Sequence, residues 1–503
     1  MKPDVIAEHF PSKPAAIMAG NAVARDFAAL TRRSQLIAHA MAFAGLGPRD
    51  HIALMLENRL EFFDICWAAQ RTGLYYTPVN WHLKPDEVAH ILKDSGARWL
   101  FVSSALAALA NGLTLNSLER VVVIDEPGPR GLDALLANAP SELLMDEREG
   151  QAMYYSSGTT GRPNGIKRAL NFSRFGTTPA WEALITQPYD IDAETVYLCP
   201  APLHHAASLG WSLAIQRCGG TVVLMERFDP LEALRLIEYH RVTHVQMVPT
   251  HFVQLLKLPE GQRQAFDLSS LKVVVHAAAP CPIAVKEQMM AWWGPIVHEY
   301  YAFSEGSGFT RISPQEWLSH KGSVGQAKMG KIRILNEQGQ IQPAGQHGVI
   351  WFEDGIDFSY HNDPEKTATA HDAQGRSTVG DMGYLDAEAY LYVTDRKFHM
   401  IISGGVNIYP QEVENMLVMH PSVSDVAVIG VPDPEYGEAV KAVVVAAPGA
   451  LADAVLAQEL MDYCRARLSH FKCPRSVDFV ESLPRLPTGK LLKRELRKRY
   501  DLC

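Results

Sequence analysis

A run of glycines and small hydroxyl residues occupies positions 154–165, with the sequence Tyr-Tyr-Ser-Ser-Gly-Thr-Thr-Gly-Arg-Pro-Asn-Gly. Its three glycines let the backbone turn tightly and aim successive N–H groups into a concavity, and such concavities bind anions. The Ser and Thr hydroxyls add donors for phosphate oxygens. The run lacks the Gly-Lys-Ser/Thr ending of a Walker A loop. By itself it is compatible with a phosphate-binding loop and equally with a surface loop.

Two adjacent histidines, His204 and His205, follow a Pro-Leu pair. Paired histidines can indicate a metal site. However, adjacent side chains point apart on a strand or a helix, so one metal ion would not be held by both. We therefore expect no metal clip here.

Composition limits the class of protein. The chain has 503 residues, 47 % apolar and 20 % charged, which is too long for one compact core and predicts two or more domains. A formal charge of −9 argues against a nucleic-acid-binding protein, because that function needs a basic face. Seven scattered cysteines without a CxxC pair indicate neither a disulfide framework nor a zinc site. With no signal-peptide pattern and no apolar run of roughly 20 residues, a cytoplasmic protein without an integral membrane segment is expected.

The elements that must position the loop follow a repeating order. Short β-rich runs at 52–56, 120–124, 221–225, 243–248 and 271–275 alternate with helical patterns such as 34–44 and 230–240. Strands alternating with helices predict βαβ units and a largely parallel sheet. After a predicted hairpin at 386–393 a fresh α/β pattern begins, so we place a domain boundary at Asp395. The prediction is a large α/β body at 1–395 and a small, mobile α+β cap at 396–503.

Five segments in order resemble the motifs of the adenylate-forming superfamily, which includes acyl-CoA synthetases, peptide-synthetase adenylation domains and luciferases. Within that superfamily the sequence most resembles bacterial acyl-CoA synthetases. The resemblance runs from about residue 30 to the end. The five segments are the loop at 154–165, Tyr301-Ala302-Phe303-Ser304-Glu305, Gly380-Asp381 with Asp395-Arg396-Lys397, Ser403-Gly404-Gly405-Val406-Asn407-Ile408-Tyr409-Pro410, and Leu486-Pro487-Thr488-Gly489-Lys490. Singly, Asp381 could form a turn, Glu305 a helix cap and Lys490 a solvated tail, but the ordered set favours the family.

The resemblance implies a nucleotide site. Thr159, Thr160 and Gly161 would hold the β- and γ-phosphates of ATP. Tyr301 would stack on adenine against the adjacent backbone, and Asp381 would accept hydrogen bonds from both ribose hydroxyls. The full ATP- and AMP-binding set is Ser156, Ser157, Gly158, Thr159, Thr160, Gly161, Ala278, Ala279, Pro280, Tyr301, Asp381 and Arg396.

It also implies the reacting groups. Ser304 would contact phosphate, and Glu305 would hold Mg²⁺, a hard cation that prefers oxygen ligands. Lys490, on the cap, would reach the substrate carboxylate and the α-phosphate. The face formed by Ser403, Gly404 and Gly405 would guide the pantetheine arm of CoA, and His205 and Trp211 would line the acyl pocket.

The implied function is ATP-dependent ligation of an acid to CoA. A carboxylate and MgATP would give acyl-AMP and pyrophosphate, and the CoA thiol would then displace AMP. The local sequence resembles that of synthetases for fatty acids or bulky alicyclic and steroid-type acids. A monomer or homodimer is expected, and weak peripheral contact with a membrane stays open. The alternatives are an acyl-AMP ligase that loads a carrier protein in trans and a degenerate nucleotide-binding protein without catalysis.

The chain departs from the family pattern at two positions. The loop usually carries Lys where this chain has Asn164, so a cation is missing on the pyrophosphate side, and Lys167 is a candidate to replace it. Two residues after Arg396, where Asp or Lys is common, this chain has Phe398. The sequence therefore leaves open how easily the hinge between body and cap rotates.

Overall fold

The structure is a computed structural model that describes residues 2–111, 118–139, 146–156, 163–396, 399–403, 406–485 and 491–500. Its strands in chain order are β1 Pro14–Met18, β2 Ala24–Asp26, β3 His51–Met55, β4 Tyr75–Pro78, β5 Ala97–Val102, β6 Arg120–Val123, β7 Gln151–Ala152, β8 Tyr154–Ser156, β9 Asn164–Lys167, β10 Val196–Cys199, β11 Thr221–Leu224, β12 His244–Met247, β13 Val273–His276, β14 Val297–Ala302, β15 Phe309–Ile312, β16 Gln326–Met329, β17 Lys331–Leu335, β18 Gly348–Glu353, β19 Ser359–Tyr360, β20 Asp381–Leu385, β21 Leu391–Arg396, β22 Ile401–Ser403, β23 Val406–Ile408, β24 Val423–Asp433, β25 Gly437–Ala446 and β26 Ser476–Phe479.

The helices connect these strands. In chain order they are α1 Pro3–His9, α2 Phe27–Phe43, α3 Glu61–Arg71, α4 Pro85–Asp94, α5 Ser104–Asn111, α6 Leu132–Ala137, α7 Ala180–Thr186, α8 Ala206–Arg217, α9 Pro230–Tyr239, α10 Pro249–Leu256, α11 Glu260–Arg263, α12 Ile283–Trp293, α13 Pro314–Ser319, α14 Pro364–Ala370, α15 Pro410–Leu417, α16 Ala454–Arg465 and α17 Lys493–Arg497. Short 3₁₀ turns occur at Gln187–Tyr189 and His470–Lys472.

Two large sheets form the body. Among the described residues the larger sheet has the strand order β16-β15-β14-β13-β12-β10-β11-β1-β2, and its central neighbours from β1 to β14 pair in parallel. The second sheet, in the order β6-β5-β3-β4-β7, is parallel at every described pairing. Every residue of β3 is buried, as expected for a parallel strand covered by helices on both faces.

The core follows the alternation of side chains along each strand. On β11, Val222 and Leu224 join one apolar cluster, while Val223 between them joins another on the opposite face. The first cluster also contains side chains from β3 and from helices α2, α3 and α8. These helices therefore pack between the two large sheets, and α9, α10 and α12 cover the far face of the larger one.

The last part of the chain builds a separate sheet with its own core. Its strands run in the order β23-β22-β25-β24, and β26 pairs in parallel with β25. Lys257 of the body donates from Nζ to the backbone oxygens of Val423 at 2.7 Å and Ser424 at 3.1 Å. The side-chain ring of His347 stacks on that of Tyr409 with centroids 5.6 Å apart. These contacts join the body to the C-terminal domain.

The predicted fold class, an α/β body with largely parallel sheets and a C-terminal domain, is confirmed. The hairpin predicted at 386–393 is present. It is longer in both directions, since β20 and β21 pair from Asp381 to Arg396 around the turn between Leu385 and Leu391. In the part of the chain that the structure describes, no helix combines the length and the apolar character that crossing a bilayer requires.

A buried ion pair fixes the ends of two central strands. Lys286 of α12, fully buried, lies with Nζ 2.7 Å from Oε2 of Glu299 on β14. The side chain of His276, at the end of β13, lies 3.3 Å from the same oxygen. Burial would raise the pKa of Glu299, but the neighbouring His276 and Lys286 outweigh it and lower the pKa to about 2. The pairing therefore contributes stability above the ordinary carboxyl pKa of 4.5, and that contribution is lost as the pH falls toward 2.

Replacing Lys286 with Met should destabilise the protein by about 3–5 kcal/mol, because it leaves a buried carboxylate without its ammonium. The free energy of unfolding in urea at pH 7 measures this loss. The matched control is the double variant K286M/E299Q, which removes both charges and should recover most of the stability. Equal losses in the single and double variants would show that packing, and not charge, holds these strands.

Candidate active site

A large cavity of about 2270 Å³ lies along one edge of the larger sheet. Residues that follow the parallel strands line it: His205 comes after β10, Pro249 after β12, Ala278 after β13 and Ser304 after β14. The carboxyl ends of parallel strands meet at one edge of a sheet, and ligand sites in open α/β sheets lie there. The sheet topology thus gathers segments from separate parts of the sequence into one cleft.

The loop after β13 carries backbone strain. Ala278 has a φ of 73°, in the left-handed region that residues with a Cβ rarely adopt. Strained backbone conformations concentrate at ligand-binding positions. Because β13 and β14 are parallel neighbours, with His276 opposite Glu299, this loop lies beside the end of β14 that carries Tyr301.

Tyr301 of the larger sheet meets Asp381 of a further sheet, whose strands run in the order β17-β18-β20-β21. The Tyr301 hydroxyl, from β14, donates to Oδ2 of Asp381, the first residue of β20, at 2.7 Å. Asp381 is only 7 % exposed yet lines the cleft. The structure therefore brings together two of the residues that the sequence predicted for the nucleotide site.

Glu305 is held by a buried tyrosine. Its Oε1 accepts a hydrogen bond of 2.9 Å from the hydroxyl of Tyr360. Among the described residues no cluster of three or more His, Cys, Asp or Glu side chains could hold a metal ion. One buried carboxylate facing a cleft fits Mg²⁺, which commonly binds one or two carboxylates and takes its remaining ligands from water and substrate phosphates.

Arg168 is a cation of the site that the sequence prediction missed. Its Nη2 donates to the backbone oxygen of Ser304 at 3.0 Å. Gly306 has a φ of 75°, at which a residue with a side chain would be strained, and a Cβ there would lie 3.1 Å from the Arg168 guanidinium carbon. Burial lowers the pKa of Arg168, with Tyr154 and Glu305 acting in the opposite direction. The guanidinium stays charged, because arginine is not deprotonated in proteins.

A two-stranded hairpin holds the ends of the Ser/Thr/Gly loop. Ser156 at the end of β8 pairs with Asn164 at the start of β9. Asn164 is 9 % exposed, and its Nδ2 donates to Oδ2 of Asp363 at 3.3 Å. The amino group of Lys167 lies 4.8 Å from the Tyr75 ring centroid and 3.4 Å from Nε2 of His51. Lys167 thus contacts the second sheet and not the side chains around Asn164.

Histidines line the opposite wall of the cleft. His205 is the N-cap residue of α8, and its ring centroid lies 4.1 Å from that of His204. His204 is 6 % exposed, and its Nε2 is buried with no hydrogen-bond partner among the described residues. Burial, and then His205 and His82, lower the pKa of His204 well below its ordinary range, so the ring is neutral at pH 7.

Trp211 lies one helical turn and a half further along α8. It is 2 % exposed and stacks on Tyr197 and Tyr300, with centroids 6.1 Å and 6.4 Å away. It also lines the cleft. Its predicted role in the acyl pocket stays a prediction.

Several predicted residues lie outside the described part of the chain. They are Ser157, Gly158, Thr159, Thr160, Gly161, Phe398, Gly404, Gly405 and Lys490. For Arg396 only the backbone is described, as the last residue of β21. Ser403 ends β22, where it pairs with Val406 and with Gly437.

Sequence reasoning missed Arg168, Tyr360 and Lys366. Arg168 follows the end of the loop motif by only three positions and could have been found by extending that motif. Tyr360 and Lys366 belong to a segment about 55 residues after Glu305, and no local spacing relates the two. Only the tertiary structure brings them together.

Comparison with known proteins identifies related sequences over almost the whole chain. The family model described as AMP-binding enzyme matches residues 4–355, and the one described as AMP-binding enzyme C-terminal domain matches residues 412–490. The long-chain-fatty-acid–CoA ligase FadD13 of Mycobacterium tuberculosis is 31% identical over 483 residues, which cover 95% of this chain and 94% of that protein. A feruloyl-CoA synthase of Amycolatopsis sp. is 34% identical over 490 residues, with coverage of 95% and 94%.

A solved structure shares the fold. The o-succinylbenzoate CoA synthetase MenE of Bacillus subtilis, in complex with its acyl-adenylate intermediate OSB-AMP, superposes with a TM-score of 0.81. The two sequences are 28% identical, and the match covers 98% of this chain and 97% of that one.

The strain at Ala278 can be tested by substitution. Ala278→Val should lower the free energy of unfolding by about 1–2 kcal/mol, because a β-branched side chain is poorly tolerated at positive φ. Ala278→Gly should be neutral or slightly stabilising. The control is Ala279→Val, at a neighbouring exposed residue without positive φ. Equal thermal denaturation curves for the two valine variants would contradict the assigned backbone conformation.

Asp381→Ala should weaken the binding of ATP and of acyl-AMP together. Each charge-assisted hydrogen bond to a ribose hydroxyl contributes about 1.5–3 kcal/mol, and the variant loses both. Tyr301→Phe, which keeps the ring but removes the hydroxyl that positions Asp381, should cause a smaller loss. Titration of each variant with ATP gives the two affinities. An unchanged affinity for ATP in Asp381→Ala would remove the ribose assignment.

Proposed function

This chain belongs to the AMP-binding enzyme family and is an acid–thiol ligase, and we propose that it activates a fatty acid or a bulky alicyclic or steroid-type acid as its adenylate and transfers the acyl group to CoA. ATP and CoA are substrates of this family. The named relatives, a fatty-acid–CoA ligase and a feruloyl-CoA synthase, support the CoA-dependent reaction. The class of acid is the more specific part of the proposal.

The observation that carries the proposal is the joint position of Asp381 and Glu305 in one cleft. Tyr301 holds Asp381 on one side, and Tyr360 holds Glu305 on the other. A carboxylate that accepts ribose hydroxyls and a second that binds Mg²⁺ are what a MgATP site needs at its two ends. Each carboxylate is buried and oriented before substrate arrives, which reduces the reorganisation needed for reaction.

In the proposed first half-reaction, the substrate carboxylate attacks the α-phosphorus of ATP. Both reactants are anions, so the site must supply positive charge and N–H donors. Thr159, Thr160 and Gly161 would bind the β- and γ-phosphates, and Ser304 would bind phosphate beside Arg168. Mg²⁺ held by Glu305 would neutralise phosphate charge when bound.

In the proposed second half-reaction, the C-terminal domain turns relative to the body. We place the division at residue 395, so that the body is 1–395 and the cap is 396–503, with Arg396 at the hinge. Lys490 would face the reacting carboxylate and α-phosphate in the first orientation. Ser403, Gly404 and Gly405 would guide the pantetheine arm in the second. Rigid rotation about a hinge is a common way to complete a catalytic site in successive states.

The acid would lie along α8, between His205 at its N-terminus and Trp211. The neutral imidazole of His204 and the stacked aromatic rings around Trp211 make this wall largely apolar, which favours a hydrophobic acyl group. Pyrophosphate release measured with straight-chain, alicyclic, steroid-type and aromatic acids would rank the candidates. Preference for short polar acids would contradict the proposed substrate class.

Two assays run together test the function itself. Acid-dependent pyrophosphate exchange reports adenylation, and acid-dependent loss of the free CoA thiol reports thioester formation. The proposed ligase gives both signals. A carrier-loading acyl-AMP ligase would give exchange without thiol loss, and a nucleotide-binding protein without catalysis would give neither.

Lys490→Ala should damage the two half-reactions unequally. In adenylation the ammonium lies where negative charge is redistributed, and losing one preorganised donor of this kind typically costs about 10²–10³ in rate. In the second step the cap has turned, so synthetic acyl-AMP and CoA should still give product at a near wild-type rate. Arg499→Ala removes an exposed cation from the same terminal segment and should leave both rates unchanged. Equal damage to both steps in Lys490→Ala would indicate general disruption of the cap, and full activity in both would mean that another residue is the catalytic lysine.

A further inference from the structure

We propose that Lys366 supplies the positive charge on the β- and γ-phosphate side of the site, in place of the lysine that similar loops carry at position 164. The inference rests on the proposed function, because it assigns a residue to the adenylation step. It concerns a residue outside the five motifs that the sequence shows. Lys366 belongs to α14, which begins at Pro364.

The need for such a cation arises at Asn164. This residue ends the Ser/Thr/Gly loop, is buried and is neutral, so its side chain cannot balance phosphate charge. Lys167, three residues later, stacks over Tyr75 and approaches His51 instead. A polyphosphate bound by this loop therefore receives no lysine charge from β9.

Lys366 lies near the carboxylate that is proposed to bind Mg²⁺. Its Nζ is 4.0 Å from the centroid of the Tyr360 ring, and the hydroxyl of that tyrosine donates to Glu305. The ammonium and the proposed Mg²⁺ ligand therefore contact the same aromatic side chain. Within the ranges that the structure describes, the ammonium makes no hydrogen bond and no ion pair.

A shared carboxylate links position 366 to position 164. Oδ1 of Asp363 accepts from the backbone N of Lys366 at 2.9 Å, and its Oδ2 accepts from the side chain of Asn164 at 3.3 Å. Both positions thus belong to one small cluster beside the loop. A lysine introduced at 164 would project from the same cluster as Lys366, so either one could serve the same phosphates.

The ammonium of Lys366 has carboxylates nearby but, among the described residues, no hydrogen-bonded acceptor. Burial lowers the pKa of its ammonium, while Glu305 and Asp363 act in the opposite direction. Asp363 already accepts two hydrogen bonds, and Glu305 accepts one from Tyr360. Phosphate oxygens would provide the charged acceptors that the partly buried ammonium lacks.

A purely structural role makes a different prediction. If Lys366 only packs against Tyr360, then Lys366→Met, which keeps a long unbranched side chain, should leave nucleotide binding unchanged. If it binds the outer phosphates, the same variant should bind ATP and pyrophosphate more weakly but AMP equally well, because AMP lacks the β- and γ-phosphates. This separation by ligand is independent of protein stability.

The test uses the full-length protein in four forms: wild type, K366M, K366M/N164K and the control K331M. Lys331 is an exposed lysine paired with Asp354 at 2.7 Å, far from the loop motif in sequence. We expect K366M to lose about tenfold to a hundredfold in kcat/KM for MgATP in pyrophosphate exchange, as for the loss of one charge-assisted contact. K366M/N164K should recover most of that loss, and K331M should match wild type.

Two further measurements distinguish the outcomes. Thioester formation from synthetic acyl-AMP and CoA should be unchanged in K366M, because no outer phosphates are present in that step. Wild-type exchange kinetics in K366M, or equal weakening of ATP and AMP binding, would overturn the role of Lys366. If kcat/KM for MgATP does not recover in K366M/N164K, a lysine at position 164 does not replace Lys366, and the proposed exchange of roles is overturned. If the wild-type protein itself forms no acyl-adenylate with any acid, the proposed function fails first, and that result is seen before any variant is compared.

Discussion

The structure depends on one electrostatic constraint, the repulsion between a carboxylate and a polyphosphate that must approach to bonding distance. Positive groups have to surround the phosphates, yet they must not form ion pairs with the protein's own carboxylates. Arg168 illustrates one solution, since it donates to the backbone oxygen of Ser304 and keeps its charge available. Lys286 illustrates the opposite use of a cation. Its ammonium is fully buried against Glu299 and stabilises the strand ends beneath the site.

Parallel strands make this arrangement possible. Each βαβ unit delivers a loop to the same edge of the sheet, so residues far apart in sequence meet there. The Tyr301–Asp381 contact goes further, because its two members belong to different sheets. The position of Asp381 relative to the larger sheet is therefore fixed by a side-chain hydrogen bond as well as by the chain.

The sequence predicted the fold class because alternating apolar strands and amphipathic helices are local patterns. It predicted Tyr301, Glu305 and Asp381 because each lies in a recognisable motif. It placed the start of α2 too late, at 34, although Asp26 caps the helix through the backbone N of Ala29. The contacts of Glu305 with Tyr360, and of Lys366 with that ring, arise only from tertiary packing. No spacing rule in the sequence could have supplied them.

The two sides of the contact between Lys257 and the C-terminal domain should tolerate substitution differently. Its acceptors are the main-chain oxygens of Val423 and Ser424, which every residue type provides. Substitutions at those two positions would leave the acceptors in place, whereas a change at Lys257 would remove both bonds at once. The side-chain identity behind these two hydrogen bonds thus lies in the body alone, unlike the stacking of His347 on Tyr409. Ser424, which is exposed, can therefore vary without loss of its hydrogen bond, whereas Val423 is restricted by its place in the core of the C-terminal domain.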